Sequence, residues 1–399
     1  MDKHNFMLKS LDAVSINAVR HRRFIHSRPE LSFNEYGTAS YVCKVLDGLN
    51  IPYVNNIAGT GICAVIQGKA NKSAAEPKTL LLRADMDALP ITEVSDKEYK
   101  SQNKGVMHAC GHDAHTSILL GICEILNASR DKFGGCAKLV FQPGEETSGG
   151  AKPMIDSGIL ENPNVDACIA LHVDPEIDTG KLRIKSGSLY ASPDDFKITV
   201  HGRGGHGAEP EKCVDPIVIS ADIIHALMNL VSREINPFDN AVITVGSICG
   251  GTASNIIPDT VEMTGTARSL TNDVRSYLKR RIGEVARGIC ATYNAQCDYE
   301  FTELFPPLIN DVELSEKLYK SACKTIGTNN CILGGNATMA GEDFAYFSQE
   351  RPSVLVKLGC RNEAMGITAP IHHSSFDIDE SCMKTGIAVF SQFALDYLG

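Results

Sequence analysis

The chain has 399 residues, a formal net charge of -10, and 43% hydrophobic and 22% charged residues. This length exceeds what one hydrophobic core usually serves, so we expect two domains. The chain has a net negative charge and lacks a dense run of lysine and arginine. These features argue against nucleic acid and anionic membrane surfaces as partners. We therefore expect the partner to be a small molecule.

The N-terminus and the cysteines indicate the compartment. Residues 1–10 lack the apolar core of a secretory signal peptide, and no later stretch stays apolar over the roughly 18 residues of a membrane span. The 14 cysteines are scattered and include no Cys-x-x-Cys pair, so we expect reduced, mostly buried thiols rather than a disulfide framework. We therefore expect a cytoplasmic protein.

The first part of the chain combines helical patterns with short apolar runs, which is typical of an α/β sheet. Helical spacing predicts helices over about the first 30 residues, and over residues 35–49 and 113–128. Apolar runs bounded by turn residues predict buried strands at 62–66, 80–82, 139–141 and 168–170. Asp85, Asp87, Glu145, Glu146 and His172 follow these runs, and ligands of open α/β sheets gather beyond the strand ends. The placement predicts one shared site.

From about residue 193 the pattern changes to strict alternation. Predicted strands at 196–200, 241–248 and 260–268, with helices at 216–234 and 273–293, indicate a βαββα-like unit with one antiparallel sheet. The main domain resumes near residue 310, with a strand at 354–358 and a closing helix at 381–397. We predict a catalytic domain of residues 1–192 and 310–399, and an inserted α+β domain of residues 193–309.

The segment from His108 to His115 is the strongest chemical signal. It sets a thiol two residues from an imidazole, and a divalent cation can organise such a pair by displacing protons. Three later segments supply further ligand types. Together the chain offers five side chains suited to two divalent cations: Cys110, His112, Glu146, His172 and His372. Zinc, manganese, cobalt and nickel all suit this mixed donor set.

Such a site fits hydrolysis of an unactivated amide, because bound cations activate a water and polarise a carbonyl. The adjacent Glu145 and Glu146 point in different directions, so we assign Glu146 as a ligand and Glu145 as the general base. Asp85 or Asp87 orients a ligand imidazole. Taken singly, each signal has an ordinary structural explanation, and it is their coincidence at strand ends that favours a site.

The ordered motifs resemble the metal-dependent N-acyl-amino-acid amidohydrolases, the group of hippurate hydrolase, the indole-acetyl-amino-acid hydrolases and N-acetyl-diaminopimelate deacetylase. The resemblance covers nearly the whole chain. It rests on residues 22–26, 29–33, 82–90, 107–115, 141–146, 202–208, 253–259, 265–268 and 341–344.

The resemblance implies a dimetal exopeptidase-like catalytic domain, with a mixed, mainly parallel sheet flanked by helices, and a lid domain that often mediates dimerisation. It implies the same five metal ligands, two divalent ions per subunit and Glu145 as base, with Asp87 as a further catalytic residue. In the lid, His206 and Asn255 are expected to contact substrate or the developing oxyanion, in some members across a subunit interface. We place Arg268 with these substrate-binding residues, and we expect a homodimer or higher homo-oligomer.

One motif departs from the family pattern. The last ligand usually precedes a proline, as His-Ser-Pro or His-His-Pro before an aromatic residue, whereas this chain reads His372-His373-Ser374-Ser375-Phe376. Counting back four residues from Phe376 selects His372 and leaves His373 as the alternative.

The leading hypothesis is a metal-dependent hydrolase that cleaves N-acyl amino acids into a carboxylate and a free amino acid. The alternative within enzymes is a dipeptidase or aminopeptidase on the same scaffold. A non-catalytic relative that binds an amino-acid derivative should have lost at least one of Glu145, Glu146 or His372, and all three are present. A thiol redox or structural-zinc protein would need paired cysteines at the appropriate spacing.

Overall fold

The computed structural model describes residues 3–70, 77–147 and 149–399. The chain divides into two units. The first comprises Met1–Gly187, Asn310–Gly335 and Tyr346–Gly399, and the second comprises Ser188–Ile309 and Asn336–Ala345.

The described residues form nine α-helices and sixteen strands. The helices are α1 (Lys3–His26), α2 (Tyr36–Gly48), α3 (His112–Ala128), α4 (Ala151–Asp156), α5 (Pro216–Asn229), α6 (Asn272–Thr292), α7 (Val312–Ile326), α8 (Ala345–Glu350) and α9 (Cys382–Leu398). The strands are β1 (Tyr53–Ile57), β2 (Gly61–Gln67), β3 (Thr79–Asp85), β4 (Cys136–Gln142), β5 (Ala167–Asp178), β6 (Leu182–Ile184), β7 (Gly187–Tyr190), β8 (Ser192–His201), β9 (Gly205–His206), β10 (Ala241–Cys249), β11 (Ile256–Ile257), β12 (Thr260–Ser269), β13 (Gln296–Thr302), β14 (Leu308–Asn310), β15 (Cys331–Leu333) and β16 (Ser353–Arg361).

The first unit is built on one eight-stranded sheet with the order β1-β2-β4-β3-β5-β16-β6-β15. The pairs β3–β4, β3–β5, β5–β16 and β6–β15 are parallel, and the others are antiparallel. Every residue of β3 and β4 is buried, as expected for strands covered on both faces. Helices α3 and α9 bury most of their side chains in the same core. This mixed, mainly parallel sheet flanked by helices confirms the predicted α/β class.

The second unit has a four-stranded antiparallel sheet with the order β10-β12-β8-β13. On β8, Phe196, Ile198 and Val200 are buried and join α5 and α6 in one core. The chain order of these elements is βαββαβ, so the predicted βαββα-like pattern lacked its last strand, β13. The alternation of Cys297, Tyr299 and Phe301 with exposed polar residues is the signal for that strand.

One helical segment of the described residues, Pro216–Glu234, has the length and apolar composition that could cross a membrane. Core helices of globular domains meet the same criterion, and Ile219, Ile223 and Leu227 on this segment pack in the core of the second unit.

Candidate metal centre

The central strands of the first unit carry the predicted ligands to one place. Strand β3 ends at Asp85, and the loop after β4 carries Glu145 and Glu146. His172 lies inside β5, where it pairs with Lys357 of β16. The expectation that His172 follows its strand was wrong, because β5 continues to Asp178.

A glycine shapes the turn between the first two ligands. Gly111 precedes α3 with a φ of +90°, and a Cβ atom there would lie 2.4 Å from Cγ2 of Val173. Only glycine fits both the left-handed conformation and this close approach. The turn therefore sets Cys110 and His112 beside strand β5, next to His172.

Cys110 and His172 contact each other directly. The Sγ atom of Cys110 lies 3.3 Å from Nε2 of His172. Nδ1 of His172 lies 2.7 Å from the carbonyl oxygen of Val173, which can only accept a hydrogen bond. Nδ1 therefore carries the proton, and the lone pair of Nε2 faces the sulfur, as metal ligation requires.

His112 is oriented in the same way by Asp87. Its Nδ1 lies 2.9 Å from the carbonyl oxygen and 3.2 Å from Oδ1 of Asp87. Its Nε2 lies 3.8 Å from a carboxylate oxygen of Asp85 and 3.9 Å from one oxygen each of Glu145 and Glu146. Of the two aspartates considered for this role, Asp87 is the one on Nδ1 of His112.

Glu146 and His372 form the other side of the cluster. Nε2 of His372 lies 3.4 Å from Oε1 of Glu146. The backbone N–H of His372 donates to the carbonyl oxygen of Ala109 at 2.7 Å, and its φ of +62° is rare for a residue with a side chain. Among the described residues, His372 belongs to a cluster of ligand atoms, whereas Nδ1 of His373 accepts from the N–H of Ser375.

The five predicted ligands form two triads whose atoms lie within 4.8 Å of one another, namely Cys110 with His112 and His172, and Cys110 with Glu146 and His372. Within the part of the chain that the structure describes, Nε2 of His112 and Oε1 of Glu146 are buried without a hydrogen-bond partner. A buried polar atom without a partner is costly, and a cation would satisfy both. The donor set therefore fits two divalent ions, with Cys110 common to both triads.

Burial and neighbouring charges shift the pKa values of these predicted ligands. Burial, followed by the Glu146 carboxylate, raises the pKa of the Cys110 thiol well above its usual range. Burial lowers the pKa of His172 well below its usual value. The pKa of His112 is lowered by burial but raised more by Asp85 and Cys110, and the net direction is upward. A cation must therefore displace protons from Cys110 and His112 but finds His172 already neutral.

His115 has a structural task that the sequence reasoning left open. Its Nδ1 lies 2.6 Å from Oδ1 of Asp85, and its Nε2 accepts from the N–H of Val173 at 2.9 Å. The imidazole thus ties α3 to β5 next to the predicted ligand His172. Its position three residues after His112 puts both rings on the same face of α3, which is a signal the sequence contains.

Glu35 is the second residue that sequence reasoning missed. This fully buried carboxylate accepts from the N–H groups of Phe33 and Gly144 at 2.9 Å each and from the hydroxyl of Thr60 at 2.5 Å. Burial raises its pKa, and the Thr60 hydrogen bond opposes this. Gly144 has a φ of +65°, and a Cβ there would lie 2.5 Å from the Phe33 ring. Glu35 therefore fixes the loop that carries Glu145.

We expect Glu35→Ala to lower kcat by about 10- to 100-fold, because three donors lose their acceptor and the loop that carries Glu145 shifts. Glu35→Gln should restore most of the activity, since its amide oxygen can accept both N–H groups and its NH₂ can donate to Thr60. Steady-state kinetics of both variants, with kcat and KM resolved, provide the measurement.

Glu30 offers a matched control for this prediction. Its carboxylate accepts from the N–H groups of Gly37 and Thr38 at the start of α2, at 2.8 Å each. Glu30→Ala should lower the melting temperature and leave kcat near normal. The positioning role of Glu35 is wrong if Glu30→Ala lowers kcat as much as Glu35→Ala, or if glutamine fails to rescue.

The predicted substrate-binding residues lie in the second unit. His206 and Asn255 are neighbours there, because β9 pairs with β11 and the N–H of Gly207 donates to the carbonyl oxygen of Asn255 at 2.8 Å. Arg268 lies on β12, opposite Pro193 of β8. Its guanidinium donates to the carbonyl oxygen of Asp194 at 3.2 Å. These contacts hold Arg268 against β8, and its substrate contact stays a prediction.

The chain is similar to known proteins over nearly its whole length. The sequence model of the family described as Peptidase family M20/M25/M40 matches residues 81–396. Thermostable carboxypeptidase 2 of Saccharolobus solfataricus is 40% identical over 383 residues, which cover 94% of each chain. An N-acetyl-L-cysteine deacetylase of Bacillus subtilis is 37% identical over 362 residues, covering 91% of this chain and 83% of that protein.

A solved structure extends the similarity to the fold. The crystal structure of the Bacillus subtilis YXEP protein, described as a dinuclear metal binding peptidase from the M20 family, has a TM-score of 0.83 and 30% sequence identity. The match covers 97% of this chain and 99% of that chain. The similarity therefore includes both units of the chain.

Proposed function

We propose that this chain, which belongs to peptidase family M20/M25/M40, hydrolyses the amide bond of N-acyl amino acids and releases a carboxylate and a free amino acid. Metal-dependent amide hydrolysis is the chemistry of the enzyme class, since its relatives include a deacetylase and a carboxypeptidase. The N-acyl amino acid as substrate is our assignment.

The observation that carries the proposal is the pair of ligand triads that share Cys110. Two triads with one common sulfur support two divalent cations held close together, as the similarity to a dinuclear metal binding peptidase also suggests. Glu145 is buried, and one of its oxygens lies 3.9 Å from Nε2 of His112. We therefore propose that Glu145, which belongs to neither of these two triads, acts beside the metal centre.

We assign the roles as follows. When bound, divalent cations supply Lewis acidity toward a water and a carbonyl oxygen. Glu145 takes the proton of the attacking water and delivers it to the leaving nitrogen. Asp87 holds His112 and accepts from the N–H of Glu146 at 2.9 Å, so it couples a ligand to the loop that carries the base.

Two aspartates beside the ligands favour an acylated substrate over one with a free amine. Asp85 pairs with Arg83 at 2.6 Å and with His115 at 2.6 Å. Asp87 accepts from the Ser32 hydroxyl at 2.6 Å and contacts His112. Both carboxylates are thus engaged, so neither offers a counter-charge to the ammonium of a dipeptide or aminopeptidase substrate.

The second unit supports the remaining proposals. We assign substrate or oxyanion contacts to His206 on β9 and to Asn255, which directly precedes β11, and we keep Arg268 as a further substrate contact. We propose a homodimer or higher homo-oligomer formed through this unit, because β10 is an edge strand and Ile217, Val218 and Ile248 are exposed. All fourteen cysteines are free thiols, which supports a reducing, cytoplasmic location.

A panel of substrates tests the reaction. N-acetyl and N-benzoyl amino acids should be hydrolysed with kcat/KM at least about tenfold above that of dipeptides with a free amine, because an unpaired ammonium is costly to desolvate. Release of the free amino acid is followed by chromatography, with the metal-loaded protein throughout.

N-blocked dipeptides extend the panel, because the 40% identity to a carboxypeptidase favours removal of a C-terminal amino acid as a second candidate function. Preference for blocked dipeptides over simple acyl amino acids would establish that function instead. Preference for free dipeptides would contradict both and restore the dipeptidase or aminopeptidase alternative.

A further inference from the structure

Arg83 and Asp85 form a buried ion pair beside the candidate metal centre. They are two residues apart on β3, so their side chains project from the same face of the strand. Nη1 of Arg83 lies 2.6 Å from Oδ2 of Asp85, and both side chains are buried. Nε of Arg83 donates to Oε1 of Gln142 at 2.9 Å. Arg83 therefore joins the ends of the neighbouring parallel strands β3 and β4.

Both carboxylate oxygens of Asp85 are engaged. Oδ2 accepts from Arg83, and Oδ1 lies 2.6 Å from Nδ1 of His115. Since Nε2 of His115 accepts from the N–H of Val173, Nδ1 is the nitrogen that donates to Asp85. The hydroxyl of Thr116 donates to the carbonyl oxygen of Asp85 at 2.7 Å. These contacts fix both the backbone and the carboxylate of Asp85.

The same carboxylate lies close enough to His112 to share a cation with it. Oδ2 of Asp85 is 3.8 Å from Nε2 of His112. Two atoms that bind one cation at about 2.0–2.2 Å each lie less than about 4.5 Å apart, so this spacing suits a shared ion. Asp85, His112 and His115 also form a further group of ligand atoms within 4.8 Å of one another. Because both ring nitrogens of His115 are hydrogen bonded, Asp85 is the additional donor that this group offers beside His112.

The contact with Arg83 restrains the oxygen that lies nearest to His112. Oδ2 of Asp85 is the atom that accepts from Nη1 of Arg83 and also the atom 3.8 Å from Nε2 of His112. A buried carboxylate that loses its cationic partner is strongly disfavoured, and a bound divalent ion is the positive charge that could replace the guanidinium. Arg83 and a cation therefore compete for one oxygen.

We propose that Arg83 is a positioning residue that holds the Asp85 carboxylate away from the cations and so determines which metal the centre prefers. This inference rests on the proposed metal centre and extends it to metal selectivity. Thiolate and imidazole donors suit zinc, whereas carboxylate oxygens suit manganese. Without Arg83, Asp85 adds an oxygen donor beside His112. The preference of that site then shifts toward manganese.

The experiment measures the affinities of the full-length protein for zinc alone and for manganese alone. The protein is stripped of metal and titrated with each ion in competition with a chelating indicator. Arg83→Met should raise the ratio of the zinc to the manganese dissociation constant at one of the two sites by about tenfold over the wild type. An unchanged ratio at both sites in folded Arg83→Met protein would overturn the proposal.

Asp85→Asn tests which group moves. The double variant Arg83→Met/Asp85→Asn should return the ratio to within about threefold of the wild type, because the anionic oxygen is absent. Asp85→Asn alone should weaken the binding of both ions and leave their ratio unchanged, because Asp85 supports the centre without binding the metal. A tenfold change of the ratio in Asp85→Asn alone, or a double variant that keeps the ratio of Arg83→Met, would overturn the proposal.

Two further variants separate charge from packing. Arg83→Lys keeps a cation for Asp85 and should keep the ratio within about threefold of the wild type. Arg83→Gln removes the charge but keeps a polar side chain, and it should give the same shift as Arg83→Met. It takes the place of Arg83→Met if melting curves show that the methionine variant is unfolded. A shift in Arg83→Lys as large as in Arg83→Gln would overturn the role of the charge.

Arg351 offers a matched control in the same unit. Its guanidinium donates to the carbonyl oxygen of Val165 at 2.8 Å and to Oδ1 of Asn164 at 3.0 Å, just before β5 begins. Arg351→Met should lower the melting temperature and leave the ratio of the two dissociation constants unchanged. The role of Arg83 is wrong if Arg351→Met shifts this ratio equally.

The same titrations distinguish failure of this inference from failure of the proposed function. Wild-type protein that binds fewer than two ions per chain would overturn the proposed metal centre and the role of Arg83 with it. Wild-type protein that binds two ions, with an unchanged ratio in the Arg83 variants, would overturn the role of Arg83 alone.

Discussion

Glu145→Gln should lower kcat by about a thousandfold, because a glutamine of the same size cannot accept the proton of the attacking water. Glu145 is buried beside the two triads, yet each triad is complete without it. We therefore expect the metal content of the variant, measured by elemental analysis, to remain near that of the wild type. Rates are to be measured on N-acyl amino acids at saturating substrate, so that kcat is resolved from KM.

Two control variants accompany this prediction. Glu146→Gln should lose metal as well as activity, since Glu146 belongs to a triad with Cys110 and His372. Glu176→Gln changes an exposed glutamate of β5 in the same unit and should have no effect on either quantity. A near-normal rate for Glu145→Gln, with its metal intact, would rule out Glu145 as the base.

Removal of the metal should abolish turnover and lower the melting temperature. Without a cation, Nε2 of His112 and Oε1 of Glu146 are buried with no hydrogen-bond partner among the described residues. Each unsatisfied atom costs about 1–3 kcal/mol, and a ligand that binds only the folded state raises its stability. Chelation followed by separate reconstitution with zinc, manganese, cobalt and nickel should restore both activity and stability, with two ions per chain.

The number of metal ions bound per chain separates this expectation from the alternatives. One inert ion per chain, with activity independent of it, would indicate a structural zinc site rather than a catalytic centre. Full activity in protein shown to be metal-free would contradict the assignment of the two triads altogether.

The candidate site was predictable where suitable ligand types lie close together in the sequence or directly after an apolar strand. Cys110 and His112 are two residues apart in one motif, and Glu146 follows a strongly apolar strand, so residue type and position indicated a common cluster. The choice of His372 over His373 rested on counting from Phe376, and the structure gives it a physical basis. The left-handed backbone of His372, fixed by its hydrogen bond to Ala109, turns the ring toward Glu146.

The supporting residues were harder to predict because their contacts join distant parts of the chain. Glu35 and Gly144 are 109 residues apart, and no local pattern marks a carboxylate that will accept hydrogen bonds from such a loop. Short or edge elements were missed for a different reason. Strand β15 has three residues, too few to display a period, and its pairing with β6 is purely tertiary.

Helix α7 was also missed, although its start carries a recognisable local signal. The side chain of Asp311 accepts from the N–H of Leu314, an N-cap arrangement, and apolar residues recur at helical spacing after it. Here the information was present in the sequence. The inner faces of β8 and the buried strands β3 and β4, by contrast, follow directly from alternation and from continuous apolar runs.

The shared sulfur constrains how this centre can evolve. Cys110 belongs to both triads, so a substitution there would remove a possible donor from each of them, whereas a change at His172 or His372 would remove a donor from one triad. A descendant that keeps a single cation would therefore be expected to lose a residue that belongs to only one triad, which means His112, His172, Glu146 or His372, and to retain the thiol. Position 110 is the one place in the two triads where a single substitution would affect both.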